Sequence, residues 1–61
     1  MRYNMATKEV EVCIETQDGF FYPTFVVYDD EEWLYEVTEK IVQWCSHNGY
    51  SYDNIGWDII E

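Results

Sequence analysis

A chain of 61 residues with 13 Asp and Glu against three Lys and Arg carries a formal charge of −10, which repels nucleic acid and anionic membranes and leaves a basic protein surface as the partner that charge favours. The length allows a single domain, 1–61, that buries only about 60% of the surface its unfolded chain exposes. With 48% hydrophobic residues and three Trp, six Tyr and three Phe, the chain still has enough apolar material to fold, since each aromatic ring buries roughly 150–250 Å².

Residues 1–7 have no hydrophobic period and read as a loose lead-in from which Tyr3 and Met5 can reach a sheet edge. They lack the apolar stretch of a secretory signal, and no run approaches the about 20 apolar residues of a membrane span. Cys13 and Cys45 have no CxxC spacing. The expectation is a cytosolic protein with reduced thiols.

Residues 8–16 alternate as a half-buried antiparallel strand does, and 20–28 form a second β-rich run. Between them, Asp18-Gly19 suits a two-residue type I′ turn, in which both central residues need positive φ. That turn sets a register in which Thr16, Ile14, Val12 and Val10 face Phe21, Pro23, Phe25 and Val27 on one apolar side. On the other side Glu15, Cys13, Glu11 and Glu9 face Tyr22, Thr24, Val26 and Tyr28, a carboxylate row beside an aromatic and aliphatic one. Pro23 would then sit in a non-hydrogen-bonded pair, with its missing N–H directed away from the first strand, which makes the second strand an edge.

Asp29, Asp30, Glu31 and Glu32 read as a helix start, because acids there accept orphan N–H groups and complement the helix dipole. A calcium loop needs alternating ligands and a downstream bidentate Glu that are missing. The helix is expected from about 30 to 47, with Leu34, Val37, Ile41, Trp44 and Cys45 as its apolar stripe. Glu32, Glu36, Glu39, Lys40, Gln43 and His47 fall on the outward arc, with Tyr35 and Val42 at its margin. Asn48-Gly49 is the stop signal, Gly49 suiting a left-handed cap. Ile55, Trp57 and Ile59 alternate with Gly56, Asp58 and Ile60 as a third strand. The fold class is α+β: a ββαβ domain with a three-stranded sheet in order 2-1-3 and the helix on one face.

No constellation carries catalysis. His47 is the sole imidazole and sits near a helix C-terminus, where a cation suits the dipole. No nucleophile, base and orienting group can be placed together by spacing. Gly19, Gly49 and Gly56 are isolated, so no phosphate-cradling loop is present, and the Cys and His spacing fits no zinc site. The reading is therefore a non-enzyme without cofactor or metal.

Binding is the class that remains. The candidate target-binding residues are Glu9, Glu11 and Glu15 on the hairpin and Glu32, Glu36 and Glu39 on the helix. Side chains two apart on a strand stand about 6.8 Å apart, a spacing of the order of neighbouring backbone phosphates, so such a row can imitate nucleic acid. Tyr22, Val26 and Tyr28 share the hairpin's acidic face and want cover, which points to a homodimer or an apolar contact.

The acidity, the element order and the stretch Thr16-Gln17-Asp18-Gly19-Phe20-Phe21-Tyr22 make the chain resemble the small homodimeric phage inhibitors of uracil-DNA glycosylase. The resemblance implies that Glu9, Glu11 and Glu15 imitate the DNA backbone, and that a dimer-formed apolar pocket captures a protruding side chain of the enzyme. No pocket residue is matched by a motif. The expectation is a phage-encoded protein of the host cytosol that blocks a DNA-repair, restriction or CRISPR enzyme by acidic mimicry. The other reading is a non-enzymatic adaptor, such as a phage assembly or regulatory module, whose acidity serves only solubility.

Overall fold

The computed structural model describes residues 6–60. The expectations for the lead-in, with Tyr3 and Met5, therefore lie outside the described residues except at Ala6 and Thr7. Four strands, β1 (Thr7–Thr16), β2 (Gly19–Phe21), β3 (Thr24–Tyr28) and β4 (Gly56–Ile59), form one sheet, and a helix α1 (Trp33–Asn48) packs on one of its faces. A short 3-10 turn, Tyr52–Asn54, leads from the helix into β4.

β1 is the centre of the sheet. Its alternation places Val10, Val12, Ile14 and Thr16 in the interior, while Glu9, Glu11 and Glu15 between them stay exposed. β2 and β3 are the two halves of the expected second strand and pair antiparallel with β1 in one continuous register. β4 pairs antiparallel with Val12–Glu15. Ile14 and Glu15 pair with both β2 and β4, which puts those two strands on opposite edges of β1. The three expected strands thus lie in order 2-1-3, with the last parallel to the second.

The hairpin turns one residue earlier than the Asp-Gly pair suggests. Thr16 pairs with Gly19, so Gln17 and Asp18 are the central residues, and Gly19 opens β2 at φ +117. Here the glycine follows the turn instead of sitting in it, the second common solution for a short hairpin loop. The Thr16 hydroxyl favours it by accepting the Asp18 N–H at 3.0 Å and donating to the Gly19 carbonyl at 3.1 Å. Every β1 residue consequently meets a partner two positions earlier than expected: Val10 faces Phe25, Ile14 faces Phe21, Glu15 faces Phe20, Glu11 faces Thr24 and Glu9 faces Val26. A shift of two preserves parity, so every side chain keeps its expected face.

The same shift corrects the reading of Pro23. Val12 donates its N–H to the Pro23 carbonyl at 3.0 Å, so Pro23 occupies a hydrogen-bonding position facing β1 and cannot return the bond. The ladder breaks there, and the second strand divides into β2 and β3. It remains an edge.

Beyond β3 the chain enters α1 about three residues later than expected. Asp30 prepares the entry: its carboxylate accepts the Glu32 N–H at 3.0 Å and its carbonyl the Trp33 N–H at 3.2 Å. Lys8 ties down the same corner, its ammonium 3.4 Å from Asp29 Oδ1 and 3.7 Å from the centroid of the Trp33 ring. At the other end Gly49 takes the left-handed conformation at φ 79, and the Tyr50 N–H reaches back to the Cys45 carbonyl at 2.9 Å.

Val37, Ile41 and Cys45 form the buried seam of the helix and close a core with Val10, Val12, Ile14 and Val27, flanked by Phe25, Trp33, Trp44, Trp57 and Ile59. Leu34 departs from the expected stripe and is 48% exposed. Its helical phase is right, but among the described residues β4 pairs only with Val12–Glu15 and no strand runs beneath the first helical turn on that side. Aromatic packing the sequence did not announce locks the hairpin tip to the helix end. Trp44 and Tyr50 stack with Phe21 tilted against both, centroids 5.4 to 6.1 Å apart, and the Tyr50 hydroxyl donates to Asp18 Oδ2 at 2.8 Å.

Candidate interaction surface

The face of the sheet turned away from the helix is the most distinctive surface of the molecule. Strand parity projects Glu9, Glu11 and Glu15 from the central strand, and all three are exposed. Cys13 interrupts the row; beside it on β4 stands Asp58, a fourth exposed acid of the same face, whose carboxylate turns to the outer edge of that strand. Phe20 lies across from Glu15 and Val26 across from Glu9. Phe20, Tyr22, Val26 and Ile60 are each more than half exposed. Among the described residues, no Lys or Arg projects from this face: Lys8 has the parity of the core side, and Lys40 belongs to the helix.

The six expected target-binding acids do not converge. Glu9, Glu11 and Glu15 share the sheet face, whereas Glu32 and Glu39 are exposed in the helical layer on the opposite side. Glu36 is not on an open outward arc. It is half-buried and accepts the backbone N–H of Tyr28 at 3.1 Å, joining the helix to the end of β3. Of the expected apolar contacts, Tyr22 and Val26 are exposed on the acidic face, and Tyr28 is half-buried. Sequence reasoning missed Phe20, Asp58 and Ile60 as members of this face. The alternation of Gly56, Asp58 and Ile60 was the available signal, and it lacked only the β1–β4 register.

Asp58 has a second contact. Its carboxylate accepts the N–H of Ile59 at 2.9 Å. Ile60 donates to the Glu11 carbonyl at 2.9 Å, so by strand alternation the Ile59 amide points outward from β4. A side-chain acceptor on an outward amide blunts that sheet edge against further pairing.

The helical layer carries tyrosine chemistry of a different kind. A hydrogen bond with Glu39, then the Glu39 charge, raises the Tyr35 pKa above the ordinary tyrosine value, and Glu32 adds to this. Burial raises the thiol of Cys45, which keeps it protonated in the core. A hollow of about 240 Å³ between the hairpin turn and the helix end is lined by Gln17, Gly49, Tyr50, Ser51, Asn54 and Ile55. It falls short of the roughly 300–1,000 Å³ of small-molecule sites. Among the described residues, no group of three or more His, Cys, Asp or Glu could hold a metal ion, and no helix is long and apolar enough to cross a membrane.

Comparison with protein-family models, curated proteins and solved structures finds no match to the chain.

Proposed function

We propose that the protein is a binding module whose acidic sheet face occupies the nucleic-acid-binding groove of a basic protein and so inhibits it. One observation carries this reading: the exposed acids Glu9, Glu11 and Glu15 of β1 and Asp58 of β4 share one sheet face, with exposed Phe20, Tyr22, Val26 and Ile60 beside them. Glu9 and Glu11 supply charge at an interval of the order of backbone phosphates, and Glu15 at about twice that interval further on. The apolar side chains supply what exposed charges do not, a contact whose burial favours a bound state. A surface evolved to neutralise phosphates meets both needs with Lys and Arg, whose apolar stems lie against aliphatic and aromatic groups. In keeping with the resemblance in size, charge and element order, the targets proposed are DNA-repair, restriction and CRISPR enzymes met in a bacterial cytosol by a phage protein.

The exposed apolar residues also favour self-association as a second reading. A homodimer through this face would set the four acids of one copy near those of the other, so charge favours the basic partner at low salt and a second copy only where salt screens the row.

The test is affinity capture from a bacterial lysate at low salt, run in parallel with the wild type and with a variant carrying Glu9→Gln, Glu11→Gln and Glu15→Gln. The wild type should retain a nucleic-acid-binding protein that a salt step elutes and that duplex DNA displaces. The variant should bind it at least about a hundredfold more weakly, as expected from losing several partners of desolvated charge pairs. Equal retention by both, indifferent to DNA, would refute mimicry and leave the adaptor reading.

A further inference from the structure

We infer that two copies of the chain join edge to edge through β2 and β3, antiparallel about a two-fold axis at Tyr22, to form one continuous sheet. The inference rests on the self-association reading and places the contact at a strand edge, so that both acidic faces stay open.

Val12 donates to the Pro23 carbonyl, so Phe21, Pro23 and Phe25 turn their main-chain groups toward β1, and Phe20, Tyr22, Thr24 and Val26 turn theirs outward. The open edge ends at Tyr28, whose outward N–H is taken by Glu36. Natural edges are blunted by charge, by proline or by a bulge, and this one has none of these on its outer side. The missing N–H of Pro23 faces inward, β2 and β3 keep one register with β1, and residues 19–28 include no charge in a chain of net −10. The described chain leaves the sheet elsewhere: Ala6 bonds Asp29 past the end of β3, and Ile60 bonds Glu11 on the other side of β1. The five residues before Ala6 span at most about 18 Å, whereas Tyr22, seven residues along from Asp29, lies about 23 Å away.

The charge pattern selects the occupant. A strand from a basic protein would be held best by acids along the edge, and residues 19–28 supply none. A two-fold contact has the opposite need, because it brings groups near the axis against their own copies, where any charge meets its like. An uncharged edge in an otherwise acidic chain fits that need. With the axis at Tyr22, Tyr22 stands opposite itself and Phe20 opposite Thr24, while Asp18 falls opposite Val26, clear of the acids that begin at Asp29. Phe20 and Tyr22, 58% and 57% exposed, gain cover on the outer face, and Phe21 gains it on the helix side. Antiparallel pairing keeps both helices on one side of the joined sheet and both acidic faces on the other. Three strand spacings then separate the two copies of β1, so their carboxylate rows lie about 14 Å apart, beyond the Debye length of about 8 Å at physiological salt. Face-to-face packing offers no such separation. The pairing uses the open edge of each copy, and on the far edge Asp58 already holds the Ile59 N–H, so the assembly closes at two.

Sedimentation and hydrogen exchange in about 0.5 M salt test this together. Between micromolar and millimolar concentration the mass should double, and exchange at the Phe20, Tyr22 and Thr24 amides should slow at least about tenfold as it does. Thr24→Pro deletes one outward N–H at a position where an edge strand tolerates proline, and should weaken the dimer at least about tenfold; Thr24→Val keeps the amide and should not. The wild-type exchange rates stand as the test whether or not Thr24→Pro folds. A monomer at every concentration would remove self-association and the edge contact together. A dimer whose three amides exchange as fast as the monomer's, assembly beyond two copies, or equal association of a folded Thr24→Pro would overturn the edge contact and leave self-association standing. None of these bears on the salt-sensitive capture that tests the acidic face.

Discussion

Replacing Glu36 by alanine removes the acceptor of the Tyr28 N–H, a bond of 3.1 Å to an ionised carboxylate. Hydrogen bonds to charged groups contribute about 1.5–3 kcal/mol, but Glu36 is half-buried and water can reach the freed amide, so a loss of about 1–2 kcal/mol is expected. Alanine's higher helix propensity returns a few tenths of a kcal/mol. A domain this small has roughly 3–5 kcal/mol to lose. Each kcal/mol shifts Tm by about 4–8 °C at this size, so Glu36→Ala should melt about 5–15 °C below the wild type. Glu9→Gln is the control: it relieves self-repulsion on an exposed face and should change stability by no more than about 0.5 kcal/mol. Circular dichroism melts of the two variants at one salt concentration separate a carboxylate that holds the fold from one that is free to recognise a partner. If Glu36→Ala and Glu9→Gln melt together, Glu36 is not the strand-to-helix tie described here and returns to the set of recognition acids.

The core reading predicts that Val12→Asp abolishes cooperative unfolding, since Val12 is fully buried between β4 and the helix and an unpaired charge there costs several kcal/mol; a native-like melt would overturn the register. If Tyr22 and Val26 drive self-association, sedimentation at micromolar concentration should give about twice the monomer mass at about 0.5 M salt and less at low salt, where the acids repel, and Tyr22→Glu should restore the monomer. A strictly monomeric wild type at every salt concentration would remove the dimer. The hydrogen bond of Tyr50 to Asp18 raises the Tyr50 pKa above the tyrosine value of 10.0, opposed by a hydrogen bond with Thr16 and supported by burial and then by the Asp18 charge. A folded pKa above the unfolded one means that the contact's stabilisation is present below about pH 10 and is lost as pH rises through the folded value. Ultraviolet titration of tyrosinate should therefore show one step moved to lower pH by Asp18→Asn, and an unchanged titration would refute the contact.

How far these features could be read from the sequence depended on whether one element or two decided them. The alternation of Val10, Val12 and Ile14 with Glu9, Glu11 and Glu15 is internal to one strand, and the structure keeps each side chain on its expected face. Asp18-Gly19 was ambiguous because two hairpin loops accept the same dipeptide. They differ by two in register, so face parity cannot choose between them, and the Thr16 hydroxyl decides. Leu34 has the helical phase of a core residue, yet among the described residues no strand lies beneath it, which a helical pattern alone does not reveal. Glu36 has the phase of a solvent-facing acid and meets an amide of β3 because the strand ends beside the helix. Asp58 and Phe20 joined the acidic row for the same kind of reason, through partners on β1 that no local pattern could name.

The position of the acids bears on how binding would be driven. Glu9 and Glu11, two apart on β1, stand about 6.8 Å apart, within the Debye length of about 8 Å at physiological salt, so this pair repels in the free protein, with Glu15 about twice as far from Glu11 and Asp58 on the neighbouring strand. The fold tolerates this because all four are exposed and their repulsion is softened by water, while the buried β1 residues on the other face hold the strand in place. A basic partner of the kind proposed would relieve that repulsion on binding, so part of its affinity would come from strain the free module already carries. Added salt weakens the repulsion and the attraction together. It would leave an apolar contact through Phe20, Tyr22, Val26 and Ile60 largely untouched, so residual binding at high salt would measure that contact alone.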